Sequence, residues 1–139
     1  MVDAERADAR LRRLEKLIED LEKIAEEGEA AYLADTRTRM AAERQLELAV
    51  QICIDLGTQL VMERPVRAPE SYADVFKAMG EAGLLPTDLA ERLEDAAGQR
   101  NLLVHLYMDV IDERVFESLN SLDDLRRFGE IVGREVSGD

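Results

Sequence analysis

The stretch TDLAERLEDAAGQRNLLVHLYMDV, residues Thr87–Val110, decides how this chain folds. Steps of three and four residues join Leu89, Leu93, Ala96, Arg100, Leu103, Tyr107 and Val110, the spacing of one face of an α-helix. A helix is expected from near Pro86, whose missing N–H costs nothing at a first helical position, to about Val110. Two members of its apolar stripe are not apolar. Arg100 and Tyr107 stand where a bundle places leucine, and a guanidinium there is costly to desolvate unless it is paired or faces a wet cleft. The two share a face, about 10 Å apart along the axis. Asn101 and His105, spaced i and i+4, share a neighbouring face roughly 100–140° around. One helix spreads these four groups over a wide arc, whereas two copies across a two-fold axis bring both arcs into one cleft. Spacing alone keeps the ordinary alternative open, because a lone histidine in an apolar helical run is usually a packed one.

The same periodicity recurs on either side. Leu11, Leu14, Leu17 or Ile18, Leu21 and Ile24 mark a first helix from Asp3 to Glu27, weakened at Gly28. LADTRT reads as a break, with Asp35 or Thr36 placed to cap a second helix from about Thr38 to Met62. Its stripe is Leu46, Ala49 or Val50, Cys53, Leu56 and Leu60. The two prolines of ERPVRAPE end it. Ser71, with Asp74 three residues later, predicts a capping box for a short helix to about Ala82, followed by the turn AGLLP. A last helical region, from about Glu113 to Val132, offers Val115, Leu119, Leu122, Leu125, Phe128 and Ile131 or Val132, with a break near SLNS. From Gly133 to Asp139 the chain is expected to fray. The reading is all-α: an up-and-down helical bundle of four main helices plus one short helix, in a single domain over residues 1–139.

Composition narrows the function. Thirty-one acidic against 18 basic residues give a net charge of −13, which disfavours broad tracking of a phosphate backbone. It leaves room for a local site holding one or two phosphates, and it suits a partner with a basic surface. Acidic runs such as EDLEKIAEEGE read as solvated helix faces, and Arg126–Arg127 reads as surface. Arg37, Arg39 and Arg44 offer an edge for RNA, with a solvated face the simpler account. The single Cys53 rules out an internal disulfide and reads as a small buried hydrophobe. No Cys/His ligand spacing and no Gly-rich phosphate loop is present, so neither a metal nor a cofactor is expected. No apolar run approaches the ~18 residues of a membrane span, and the chain reads as cytoplasmic.

Arg100, four residues, His105, Leu106 and Tyr107 resemble the Arg-x4-His-x-Tyr signature of HepT-like proteins, within the HEPN superfamily of helical ribonucleases, and Asn101 matches that family's Arg-Asn pair. PESYADVFKAMGEAGLLP resembles the family's Pro-x-Ser-Tyr-x-Asp-x-Phe stretch and Gly-hydrophobic turn, and LDDLRRFGEIV resembles its last helix. The likeness covers most of the chain from about Leu33. Gln99 departs from it, standing where an aromatic residue commonly precedes the arginine. The resemblance implies a homodimer with the motif helices at its interface, metal-independent cleavage of RNA, and the role of toxin in a toxin–antitoxin system. It also implies a partner, a small MntA-type nucleotidyltransferase that adds AMP to Tyr107 and silences the toxin.

Chemistry assigns the four side chains compatible roles. RNA carries its own nucleophile, the 2′-OH, so neither a metal nor a covalent residue is required. His105, with a reference pKa of ~6.5, suits removal of that proton near neutral pH. Arg100 suits a bidentate grip on the phosphate and its developing charge. Asn101 is read as orienting the phosphate or His105, and Tyr107 as stacking on a base and offering its phenol to AMP. The other compatible class is a catalytically inactive HEPN-like helical dimer acting as a nucleotide-binding or partner-docking module. Acidic composition favours that class; the complete Arg, Asn, His and Tyr set favours the nuclease.

Overall fold

A computed structural model describes residues 3–104 and 110–138. The four long helices are α1 (Ala4–Glu26), α3 (Thr36–Met62), α5 (Thr87–Val104) and α7 (Leu122–Ser137). The short expected helix is α4 (Tyr72–Glu81). Two further pieces, α2 (Glu29–Ala34) and α6 (Asp112–Ser118), flank them, and a 3-10 turn at Leu119–Ser121 makes the break expected near SLNS. Among the described residues there is no strand, and no helix is long and apolar enough to cross a membrane.

Caps set the boundaries. Asp3 accepts from the backbone N–H groups of Glu5 and Arg6 at the start of α1, and Asp35 does the same for Arg37 at α3. Ser71 Oγ accepts from the N–H of Asp74 at 3.1 Å, the first half of the expected capping box. The second half differs: the Asp74 carboxylate accepts from the Glu70 N–H and from Arg67, so it ties down the preceding loop instead.

The stripes meet in one core centred on α3, which packs against α1, α4, α5 and α7. Leu14, Ile18, Leu21, Val50, Cys53, Leu56, Leu89, Leu93, Phe128 and Val132 are all buried. Each large aliphatic or aromatic side chain so buried contributes about 1.5–3 kcal/mol. Phe76 of α4 meets Phe128 of α7 edge-on, centroids 5.7 Å apart. Gly57 lets α4 approach α3 closely: a Cβ there would lie 2.8 Å from Val75 Cγ1 and 2.9 Å from Met79 Sδ.

Two expectations need correction, and a third falls partly outside the described residues. The chain does not lose its helix at Gly133: α7 continues to Ser137, because Glu135 pairs with Arg64 of α3 at 2.6 Å and Val136 packs on the core. Arg126 is not free surface, since it bridges Glu15 at 3.0 Å and Glu22 at 2.8 Å, joining α7 to α1. The helix expected to reach about Val110 is described only as far as Val104, and Val110 itself is not helical. The extended Ile111 and the acidic pair Asp112–Glu113 start a new helix, as negative charge in a first turn favours.

Candidate functional site

The site's geometry comes from a helical hairpin. Helix α4 ends in a Schellman turn, with Leu84 N–H donating to Met79 O and Gly83 N–H to Gly80 O, and Gly83 at a φ of 77°. That turn folds α5 back antiparallel along α4, so the start of α4 lies beside the end of α5. Tyr72 is the first residue of α4, and Arg100 lies one turn before the last described residue of α5. The guanidinium carbon of Arg100 sits 5.1 Å from the centroid of the Tyr72 ring, in cation–π geometry.

Arg100 is half-buried on α5, between buried Ala97 and Leu103, as its place on the stripe requires. Its Nη1 donates to Asn101 Oδ1 at 3.2 Å, in an exposed setting. Its Nε is buried and has no hydrogen-bond partner among the described residues. No described carboxylate pairs with it, although carboxylates outnumber basic side chains 31 to 18 in this chain. Other arginines find acids readily. Arg67 holds Asp74 and Glu81, Arg92 holds Asp88 and Asp124, and Arg126 holds Glu15 and Glu22. Arg100 therefore carries a charge that the described fold positions but does not neutralise.

Of the residues singled out from sequence, the structure brings Arg100 and Asn101 together on the last turn of α5. His105 and Tyr107 lie outside the described residues. Gln99 is exposed and lines a groove of about 310 Å³ between α3, α5 and α7, with Val50, Ala96 and Leu125 among its walls. Two of the three arginines of the basic edge considered on α3 are engaged: Arg39 donates to Leu33 O and Thr36 Oγ1 and pairs with Asp112, while Arg44 pairs with Glu47. Tyr72 has no role assigned from sequence. It lies inside the PESYADVF stretch, but no helical periodicity connects it to Arg100; only the hairpin does.

The other electrostatic features are structural. Tyr32 of α2 is buried against Phe116, and its phenol is pushed up to about 12, first by burial and then by the charges of Glu43 and Asp112. The carboxyl of Glu43 is also raised, by burial first and then by Asp112. Burial pushes the Cys53 thiol up, as suits an inert packed cysteine.

The chain matches the family described as ribonuclease HepT-like over residues 14–132, which is most of its length. It belongs to that family, and is classed thereby among endoribonucleases. It is 26% identical over 115 residues to the tRNA nuclease HepT of Aphanizomenon flos-aquae, covering 81% of this chain and 77% of that protein. It is 25% identical over 91 residues to the mRNA nuclease HepT of Shewanella oneidensis, covering 65% and 68%. Its fold is that of the tri-AMPylated Shewanella oneidensis HEPN toxin solved in complex with an MNT antitoxin, with a TM-score of 0.84 at 20% identity over 95% of this chain and 98% of that one. The HEPN-like helical bundle expected from sequence is thus the fold observed.

Proposed function

We propose that this protein is the ribonuclease toxin of a HepT/MntA-type toxin–antitoxin pair, working as a cytoplasmic homodimer that cleaves RNA without a metal. The observation that carries this reading is Arg100. A half-buried guanidinium on a helix's core-facing side, bonded to Asn101 and unmatched by any described carboxylate, suits an anion that arrives from outside. The RNA phosphate is that anion. His105, five residues along the same sequence motif, takes the proton from the 2′-OH. The 2′-oxygen then attacks the adjacent phosphorus and the bond to the 5′-oxygen breaks. The products are a 2′,3′-cyclic phosphate and a 5′-hydroxyl that takes up a proton. Asn101 orients the phosphate, and Tyr107 stacks on a base.

The second copy completes the site in this reading. Leu102 and Val104, on either side of buried Leu103, leave apolar surface exposed next to the motif, and a two-fold partner would cover it. Control falls to a nucleotidyltransferase: the Tyr107 phenol gives up its proton and its oxygen attacks the α-phosphorus of ATP, so the α–β anhydride bond breaks, pyrophosphate leaves and AMP stays on the tyrosine. The added phosphate competes with RNA for Arg100, and the adenosine fills the stacking space.

Cleavage of a single-stranded RNA by purified protein, with His105→Ala beside the wild type, tests the reading. The wild type should cut and keep cutting in excess EDTA, and His105→Ala should not cut while keeping its helical circular dichroism. RNA bound but left whole by the wild type would return the non-catalytic class. Co-expression with the partner should add about 329 Da per AMP unit to the intact mass. Tyr32 is buried in the fold, so the additions need only be assigned between Tyr107 and Tyr72. Additions that persist in Tyr107→Phe would overturn that assignment.

A further inference from the structure

We infer that Tyr72 is a positioning residue for the nuclease site: its ring forms the platform that aims the Arg100 guanidinium at the RNA phosphate. The inference rests on the nuclease reading of Arg100 and extends it to a residue outside the Arg-x4-His-x-Tyr motif. Three observations carry it. The guanidinium carbon lies 5.1 Å from the ring centroid, while Arg100 has neither a carboxylate partner nor a hydrogen-bond partner for its buried Nε among the described residues. A long arginine side chain so placed keeps its rotamer only if something holds the flat face of its head group, and the ring does so without neutralising the charge.

Tyr72 is exposed, with 49% of the residue open to solvent, so core packing does not account for its position. The third observation is how firmly the start of α4 is fixed. Ser71 caps it, Arg67 clamps Asp74 and Glu81 on the same helix, and Gly57 lets α4 sit tightly on α3. A platform is useful only when it does not move.

A structural role for an exposed tyrosine predicts little change on substitution. A positioning role predicts that the ring matters and the hydroxyl does not. In cleavage of a single-stranded RNA oligonucleotide, Tyr72→Phe should stay within about twofold of the wild type in kcat/KM, while Tyr72→Leu should lose roughly tenfold or more. In an Arg100→Ala background, Tyr72→Leu should cost nothing further, because the residue it positions is gone. An equal loss in Phe and Leu, no loss in Leu, or a full further loss on top of Arg100→Ala would each overturn the inference.

The Nε–Hε resonance of Arg100 gives a readout independent of cleavage. The ring current should shift it in the wild type and in Tyr72→Phe, and Tyr72→Leu should remove the shift. If the wild type cuts no RNA, the nuclease reading fails while this resonance still reports the platform. If Tyr72→Leu leaves the resonance where it was, the platform fails whatever the RNA shows.

Discussion

Arg67 and Arg100 both lie against α4, and they are held in opposite ways. Arg67 spans one face of the helix, with Asp74 at 2.5 Å and Glu81 at 2.7 Å, so its charge is matched within the fold. Those contacts hold the Asp74 carboxyl down at about 2, through the Arg67 hydrogen bonds first and the Glu70 N–H second. Arg100 meets the aromatic ring of the first residue of the same helix, and donates to the side-chain amide of Asn101 beside it on α5. The first arrangement fastens a loop to a helix. The second keeps a cation in place and leaves it unmatched by any described carboxylate, which is what an anion-binding site needs before its ligand arrives.

The sharpest way to break this contrast is to remove each guanidinium in turn. Arg100→Gln should lower RNA cleavage by about a hundredfold or more, the range seen when a charge-stabilising donor is lost from an active site. Its thermal midpoint should change little, since the residue holds no ion pair among the described residues. Arg67→Gln should lower the midpoint by a few degrees as the 63–70 loop loosens, and should cost cleavage far less than Arg100→Gln does, because the Ser71 cap and the close packing at Gly57 still hold the start of α4. Melting curves and initial rates on the same two proteins settle the matter. If Arg67→Gln proved the more damaging to cleavage, the division between fastening and ligand-binding arginines would be wrong.

Acid separates the two further. Because the folded Asp74 carboxyl titrates well below the ~3.9 of an unfolded chain, its stabilising effect is complete above that value and disappears as pH falls through it toward about 2. Glu22, lowered chiefly by its hydrogen bond with Arg126, acts in the same direction between α1 and α7. The thermal midpoint of the wild type should therefore drop across this acid range, and Asp74→Asn, already without the charge, should drop less steeply. Identical acid slopes for the two proteins would show that the Arg67 clamp does not hold in solution.

The two arginines also show what a sequence exposes and what it hides. Arg100 was conspicuous because it interrupts an apolar stripe, a local signal that needs no knowledge of neighbours, and the structure finds it half-buried where the stripe requires. The same local logic located the four long helices, the Asp35 and Ser71 caps and the turn before α5. What stayed hidden depends on distance along the chain. Arg126 looks like surface until α7 is laid beside α1, where Glu15 and Glu22 lie more than a hundred residues away. The six residues of α2 span too few turns to show a periodicity, so buried Tyr32 gave no signal. Tyr72 reaches Arg100 only because a Schellman turn reverses the chain between them.

The smallest effect tests whether a missing partner is by itself a mark of function. Tyr32 Oη, like Arg100 Nε, is buried without a hydrogen-bond partner among the described residues. The difference is that the Tyr32 phenol is neutral and enclosed, its ring packed on Phe116 at a centroid distance of 5.3 Å. Removing that hydroxyl takes away a desolvated polar group that returns nothing, so Tyr32→Phe should change stability in urea by less than roughly 1 kcal/mol, with stabilisation the expected sign, and leave cleavage untouched. Alkali supplies the second reading. The unfolded phenol ionises near ~10, whereas the folded one is held protonated up to about 12 by burial and the nearby acids. Stability present below the unfolded value is thus lost as pH climbs through this window, and Tyr32→Phe should lose less of it. A stability loss well above 1 kcal/mol at neutral pH would mean that the hydroxyl is bonded in solution. A loss of cleavage would mean that a buried neutral atom on α2, without a partner among the described residues, matters to the site, and the distinction drawn at Arg100 would no longer rest on charge.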